Sequence, residues 1–437
     1  MHKSLVIGCL LFSCLTQADL LDALKYYEEK HYAQATTEFN KLLPLGNEVA
    51  AFNLGAIYHN GEGTAVDHVK ALAYFQLAAQ LGDSRAAAVI SALTKRLSAI
   101  EQQQAEQQAS LLLAQVQIKE ITEERTDLID FPEVVSRRAP VYPKNAAAKG
   151  IFGYNVLRFV IDEQGNVSAV EVLGSFPEKT FNKSSIAAVK SWKYAATGKK
   201  HQGKVALHYS LGPLSKSKVT QFMQKHQLLD YAVAGSPQHQ YMLGTVMDLL
   251  ATNANYHVNV DKNLALELTT ELPEQFFSRK SSFRSNIAGF YGSAEVKTDG
   301  KGIVTAVISA DKMDKQQASA LLVGKELDND ARHGHYRLWA DPGKTSYVEP
   351  IITVSQLHSS HYWWTIAAKN GSLEAQRQLA AFSPQWENYL LNNNDAQVLT
   401  WSGVRKMLQG DTVQGQLLLD KAIAQNYQTA AELKAIL

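Results

Sequence analysis

The strongest constraint in this sequence is a pair of extended runs around one turn. Gly153 to Asp162 is mainly apolar between Val156 and Ile161, Gln164-Gly165-Asn166 interrupts it, and Val167 to Leu173 resumes the strand pattern. Two such runs joined by a Gly-Asn turn predict a β-hairpin. Ahead of it, Pro140-x-Tyr142-Pro143 reads as an extended entry and the stretch to Gly150 as a short helix. Behind it, Phe181 to Trp192 carries Phe181, Ile186, Val189 and Trp192 on one helical face. Val205 to Leu211 then alternates as a last strand. The predicted order is helix, hairpin, helix, strand.

That module fills only part of 437 residues, and at about 150 residues per domain the chain should hold two to four domains. Hydrophobic residues at 46% and charged residues at 19% are globular proportions and exclude wholesale disorder. Lys+Arg 43 against Asp+Glu 42 leaves a net charge of +1, so no global field draws the chain to nucleic acid or to an anionic membrane.

Residues 1–18 read as an export signal. Lys3 precedes an apolar stretch from Leu5 to Leu15, too short for a spanning helix, and Thr16-Gln17-Ala18 puts small residues at the cleavage positions. Cleavage after Ala18 places the protein in the periplasm and removes Cys9 and Cys14, leaving no thiol for disulfides, catalysis or metal binding. The alternative is a lipoprotein anchored at Cys14, since Leu11-Phe12-Ser13-Cys14 resembles a lipobox.

Residues 19–93 read as helical repeats. Leu54-Gly55, Tyr58, Gly61 and Gly63 are followed by Asp67, Lys70-Ala71, Tyr74, Ala78-Ala79, Gly82 and Ala86. Small residues let two helices approach, and Gly61 and Gly63 permit positive φ in the loop. The pattern resembles a Sel-one-like repeat, a relative of the tetratricopeptide repeat. Its fragments return at Gln240–Gly244, at Asp261 with Leu264-Ala265, at Trp363–Leu379 and at Lys421–Ala430. This predicts a helical lobe over 214–275 and C-terminal helical repeats over 358–437. A β-rich insertion, 276–357, interrupts the lobe. Ala294–Lys297 and Ile303–Ser309 flank Asp299-Gly300-Lys301-Gly302, and Arg337–Ala340 and Tyr347–Val354 flank Asp341-Pro342-Gly343-Lys344.

Between the first repeats and the central module, residues 94–130 read as a polar spacer helix. Leu93, Leu97, Ile100, Leu111, Ala114, Ile118, Ile121 and Leu128 keep a heptad-like register, with Gln104, Gln107 and Arg125 at other seam positions. Unbroken over 93–128 the helix would be about 54 Å long. A homodimeric coiled coil and a solitary spacer both fit the pattern.

The ordered motifs of residues 131–213 resemble the TonB C-terminal domain family. They are Pro140-x-Tyr142-Pro143, then Gly153 through Phe159 to Ile161-Asp162 with Gly165-x-Val167, and Phe181 through Trp192 to Tyr194. The resemblance implies a periplasmic domain that adds an extended segment of an outer-membrane receptor, or of another envelope protein, to a sheet edge, where unpaired N–H and C=O groups await a partner. It points to Val205, Leu207, Tyr209 and Leu211 on the last strand, with Tyr142 and Pro143 near the contact. Setting chain direction and packing is the other reading of Tyr142 and Pro143. The family's glutamine ahead of Pro-x-Tyr-Pro is Ala139 here. The family's energy transducer also has a membrane anchor and a Pro-rich spacer, for which this chain shows a cleavable leader, repeats and only 11 prolines.

Catalytic motifs are weak: no phosphate loop, nucleophile elbow or zinc-protease helix stands in the sequence. His333, His335, His358 and His361 are the best candidates for metal ligation, but no acidic ligand has diagnostic spacing. The expectation is therefore a multidomain α+β chain: α-helical solenoid repeats, a TonB-like two-helix, three-strand module, and a second helical lobe with a small β insertion. Binding rather than catalysis is its work, with no cofactor, metal, nucleic acid or small-molecule substrate. An accessory role in TonB-dependent transport leads; an envelope scaffold, or a metal-dependent or hydrolytic enzyme on the β insertion, are the alternatives.

Overall fold

The computed structural model describes residues 19–119, 131–212, 214–253, 257–261, 263–264, 272–277, 283–285, 287–327, 334–343 and 345–437. The leader with Cys9 and Cys14, and His333, lie outside these. The chain divides into two compact units, Met1–Lys119 with Ala368–Leu373, and Glu120–Ala367 with Glu374–Leu437.

The first unit is helical: α1 (Leu20–Glu28), α2 (Tyr32–Leu42), α3 (Glu48–Asn60), α4 (His68–Leu81), α5 (Ala86–Thr94) and α6 (Ala99–Gln115). Helix α3 starts on the Asn47 cap and ends at Gly61 with φ 72°, and α4 starts on the Asp67 cap. Gly55 lets the two helices close, since a Cβ there would lie 2.9 Å from the Phe75 ring. Tyr58 and Tyr74 stack across the same seam.

The spacer differs from the sequence expectation. The helical pattern breaks at Ser98, whose side chain and Glu101 form a capping box that starts α6 afresh. Within α6, Ala105 and Ala109, not the heptad residues Ile100, Leu111 and Ala114, are buried with Ala71, Leu72 and Phe75 of α4, because small side chains allow the close approach. Ile100 and Leu111 are 71% and 67% exposed. The helix ends at Gln115, and Gln117 and Ile118 donate their amides to the Pro44 carbonyl. Residues 120–130 lie outside the described ones.

The second unit opens with β1 (Val134–Ser136), α7 (Lys144–Ala148), β2 (Gly153–Ile161), β3 (Val167–Phe176), α8 (Asn182–Lys190), β4 (Lys193–Tyr194) and β5 (His201–Tyr209). The main sheet runs β3-β2-β5, antiparallel throughout. Helices α9 (Lys216–Lys225), α10 (Leu228–Val233) and α11 (Pro237–Asn253) follow. A second sheet holds β6 (His257–Asp261), β7 (Phe283–Ser285), β8 (Gly292–Thr298), β9 (Val304–Asp311), β10 (His335–Ala340) and β11 (Ser346–Ser355), with α12 (Lys315–Leu322) between β9 and β10. The chain closes with α13 (Ser360–Lys369), α14 (Leu373–Ala380), α15 (Pro384–Asn392), α16 (Ala396–Leu408), α17 (Thr412–Ile423) and α18 (Gln428–Ile436).

Both hairpins expected in the insertion are present, as β8–β9 and β10–β11. Asp261, expected to open a repeat helix, instead ends β6, which pairs in parallel with β11, and Ala265 lies outside the described residues. Val258 and Val260 alternate with polar residues and fit a strand better than a helix seam.

Alternation in β2 buries both faces of the first sheet. Leu157, Phe159 and Ile161 pack with Val189, Trp192 and Tyr194 on the α8 side. Tyr154 and Val156 pack on the other side with Val219, Leu243, Val246 and Trp363 of the helical lobe, and Val160 with Leu399, Trp401 and Val404 of α16. The module is thus a layer within a larger core, with a helix layer on each face.

Candidate functional site

Strand β5 pairs with β2 from Gly153↔Tyr209 to Ile161↔His201. Among the described residues no strand lies on its other side. With both faces of the sheet covered, the outer edges of β5 and of β3 are where the module presents unpaired backbone groups.

The side chains of β5 divide between the two faces. Val205 and Leu207 are half-buried against the Leu157–Trp192 core. Tyr209 is buried, stacks on Phe181 with ring centroids 4.0 Å apart, and its hydroxyl shares a 2.7 Å hydrogen bond with Ser185. On the opposite face, His208 stacks on Tyr154 and Lys204 places its ammonium 4.4 Å from the Phe382 ring. Ala206 is exposed.

Tyr142 stands edge-on to both Phe181 and Tyr209, at 5.7 Å from each, and donates its hydroxyl to the Ile151 carbonyl. Burial pushes its phenol pKa up. Pro143 sits at the N-cap of α7, where its carbonyl accepts the Ala147 amide. The two residues therefore clamp the end of β5 and start α7. The structure brings Tyr142, Leu207 and Tyr209 together, packs Val205 in the neighbouring Leu157–Trp192 core, and places Pro143 at the start of α7. Leu211 does not belong to the group: β5 ends at Tyr209, and Leu211 lies beyond it, 50% exposed. The strand also begins earlier than its apolar alternation, at His201, because the ladder to β2 continues through Gln202 and Gly203. Phe181, readable in the sequence only as a helix-face residue, and Ser185, which carried no signal there, fix Tyr209.

Two of the histidines considered for metal binding have other partners. His335 on β10 lies 2.6 Å from the Glu295 carboxylate, and His358 packs near Phe276 with its pKa lowered by burial. Among the described residues no three His, Cys, Asp or Glu side chains cluster as a metal would require, and no helix is long and apolar enough to cross a membrane.

Comparison with known proteins agrees with this architecture. Residues 138–212 match the family described as Gram-negative bacterial TonB protein C-terminal, and residues 49–83 match the Sel1 repeat. Protein TonB of Yersinia enterocolitica is 32% identical over 69 residues, which are 16% of this chain and 27% of that protein. The chain thus spans about a quarter of that relative's length. The solution NMR structure of the Pseudomonas aeruginosa TonB CTD aligns with 22% of this chain and 100% of its own, at 22% identity and a TM-score of 0.19.

Proposed function

We propose that this chain is a TonB-like envelope protein that binds an extended segment of an outer-membrane protein along β5, as an accessory to transport across the outer membrane. The observation that carries the reading is the open edge of the first sheet. Helices cover both faces, while β5, like β3 at the far edge, is paired on one side only, and β5 is the edge to which the family resemblance points. An incoming strand satisfies backbone groups that otherwise depend on water, and side chains flanking Val205, Leu207 and Ala206 select it. The work is binding; no reaction is assigned. The export pattern of residues 1–18 supports a periplasmic location, and the intact mass of the mature protein distinguishes cleavage after Ala18 from lipidation at Cys14.

A second reading keeps the same edge but makes the chain an envelope scaffold with another partner. Ala139, at the position where the family carries glutamine, favours it. A photo-crosslinking residue at the exposed Ala206 tests both. Capture of an outer-membrane receptor supports the accessory role, and capture of a different envelope protein supports the scaffold. If crosslinks to any protein fail in whole cells while the purified chain is folded, edge pairing is wrong.

A further inference from the structure

The β insertion repeats the turn and the strand order of the first module. Its hairpin turn reads Asp299-x-x-Gly302-x-Val304-Thr305-Ala306-Val307, against Asp162-x-x-Gly165-x-Val167-Ser168-Ala169-Val170 in the first. The turns are built alike. The Asp162 carboxylate accepts the amides of Gln164 and Asn166 at 3.0 and 2.7 Å, and that of Asp299 accepts Lys301 and Ile303 at 2.8 and 2.9 Å. Gly165 and Gly302 have φ of 84° and 83°.

The likeness extends well beyond the turn. Asn166 bridges to Lys193, and Ile303 to Glu326. The Gly165 carbonyl accepts the Tyr194 amide at 2.9 Å, and the Gly302 carbonyl accepts Leu327 at 3.0 Å. Each hairpin begins at a glycine that the far strand end requires: a Cβ on Gly153 would lie 1.9 Å from the Phe176 carbonyl oxygen, and one on Gly292 would lie 2.2 Å from that of Asp311. Helix α8 buries Ser185 and Val189, and α12 buries Ala318 and Leu322 at the same spacing. The third strand returns beside the first in both, with Lys204 opposite Arg158 and Arg337 opposite Glu295. The strand orders are β3-β2-β5 and β9-β8-β10. A generic hairpin-helix-strand unit does not require the same side-chain turn, glycine contact and bridge together.

One feature separates the copies. Strand β10 corresponds to β5, and its outer edge is filled: β11 pairs with it antiparallel from Tyr336↔Pro350 to Trp339↔Tyr347 and gives Val348, fully buried, to the core. We infer that residues 289–327 with 334–340 are a second copy of the strand-pairing module, and that β11 is its resident strand, closing in cis the edge that β5 leaves open. Of the two corresponding strands, β5 alone keeps its outer edge unpaired among the described residues. The inference concerns β10 alone and does not depend on β5 binding a partner.

The test uses the full chain carrying Tyr347→Pro or Val348→Pro. Successive strand residues turn their amides to opposite sides, so the pair of variants covers the β10 ladder. Hydrogen exchange at 335–340 is followed with and without a synthetic peptide of residues 346–355, at about 1 mM to match the effective concentration of a tethered strand. Exchange at β10 should rise at least about tenfold in one variant, and the peptide should restore protection while its Val348→Asp version should not. Unchanged exchange in both variants, or fast exchange that the peptide leaves fast, overturns the inference. If proline melts β8, β9 and α12 as well, a protease site inserted at Pro342-Gly343 opens the hairpin with the core side chains intact. There the excess peptide should exchange for β11, and failure to do so overturns the inference equally.

Discussion

The Trp401 indole N–H donates to the Glu171 carboxylate, joining residues 230 apart in sequence. The Tyr427 hydroxyl donates to the same carboxylate, and Arg158, opposite Glu171 in the ladder, lies 5.5 Å from the Trp401 ring centroid. A strand of the first module is thereby fixed to α16 and to the start of α18. Burial pushes the Glu171 pKa up, and the hydrogen bonds from Tyr427 and Trp401 only partly offset it. Glu171→Ala leaves two donors without their acceptor, and should cost about 2–6 kcal/mol at roughly 1–3 per group. Glu171→Gln keeps an acceptor and should cost less than about 1 kcal/mol. The raised pKa also sets a sign. Burying the charge opposes folding above the folded pKa, and this opposition fades as pH falls through that pKa toward the unfolded value. The wild type should therefore gain stability on Glu171→Gln as acidification proceeds from neutral pH, measured as a difference of urea midpoints.

Tyr142 separates packing from hydrogen bonding. Tyr142→Phe keeps both edge-on ring contacts and loses the bond to the Ile151 carbonyl, for about 1 kcal/mol. Tyr142→Ala removes the ring that braces Phe181 and Tyr209, for about 2–4 kcal/mol. If Tyr142 acts only by holding β5, the Phe variant crosslinks from Ala206 as well as the wild type does. A Phe variant that is stable but loses the crosslink would make the hydroxyl a direct contact.

His208 gives the first sheet a pH response. Burial lowers its pKa, and its Nε2 has no hydrogen-bond partner among the described residues. The unfolded chain binds the proton first, near the ordinary histidine value of about 6.5. Stability is thus full above that value and falls as pH drops from it toward the lowered folded pKa. His208→Gln should flatten that part of the stability curve; an unchanged slope assigns it to another group.

Much of this architecture was legible in the sequence because local chemistry dictated it. Gly165 needs positive φ, Asn47 and Asp67 cap helices, and Gly55 stands where a neighbouring ring leaves no room. The coverage of the first sheet was not legible. Tyr154, Val156 and Val160 read as strand residues whatever packs on them, and their partners Leu243 and Trp401 come from distant helices. The spacer misled for a related reason: Ile100 and Leu111 keep a seam spacing, yet the Ala105–Ala109 face packs more closely. The strand places of Val205, Leu207 and Tyr209 followed from alternation, whereas Leu211 lies past the last ladder pair, Gly153↔Tyr209. The second module's turn repeats the first module's letters, but its strands share only alternation, and β11 hides its open-edge counterpart.

Gly55 offers a test in which two effects of similar size oppose each other. Replacing a mid-helix glycine by alanine should stabilise α3 by about 1 kcal/mol through backbone entropy. Here the new methyl would meet Phe75, 2.9 Å from its ring, and Phe75 is itself buried and held edge-on by Phe52 at 5.1 Å. Overpacking of this kind costs about 1–3 kcal/mol, so the collision should win. Gly55→Ala is expected to speed hydrogen exchange across α3 and α4. Gly82 is the control: no atom lies within 4 Å of its Cβ position, so Gly82→Ala acts through the strain of φ 109° alone. Its effect should stay at the α4 C-terminus. A slower exchange in Gly55→Ala would mean that Phe75 yields, and that the close approach of α3 and α4 does not depend on a missing side chain.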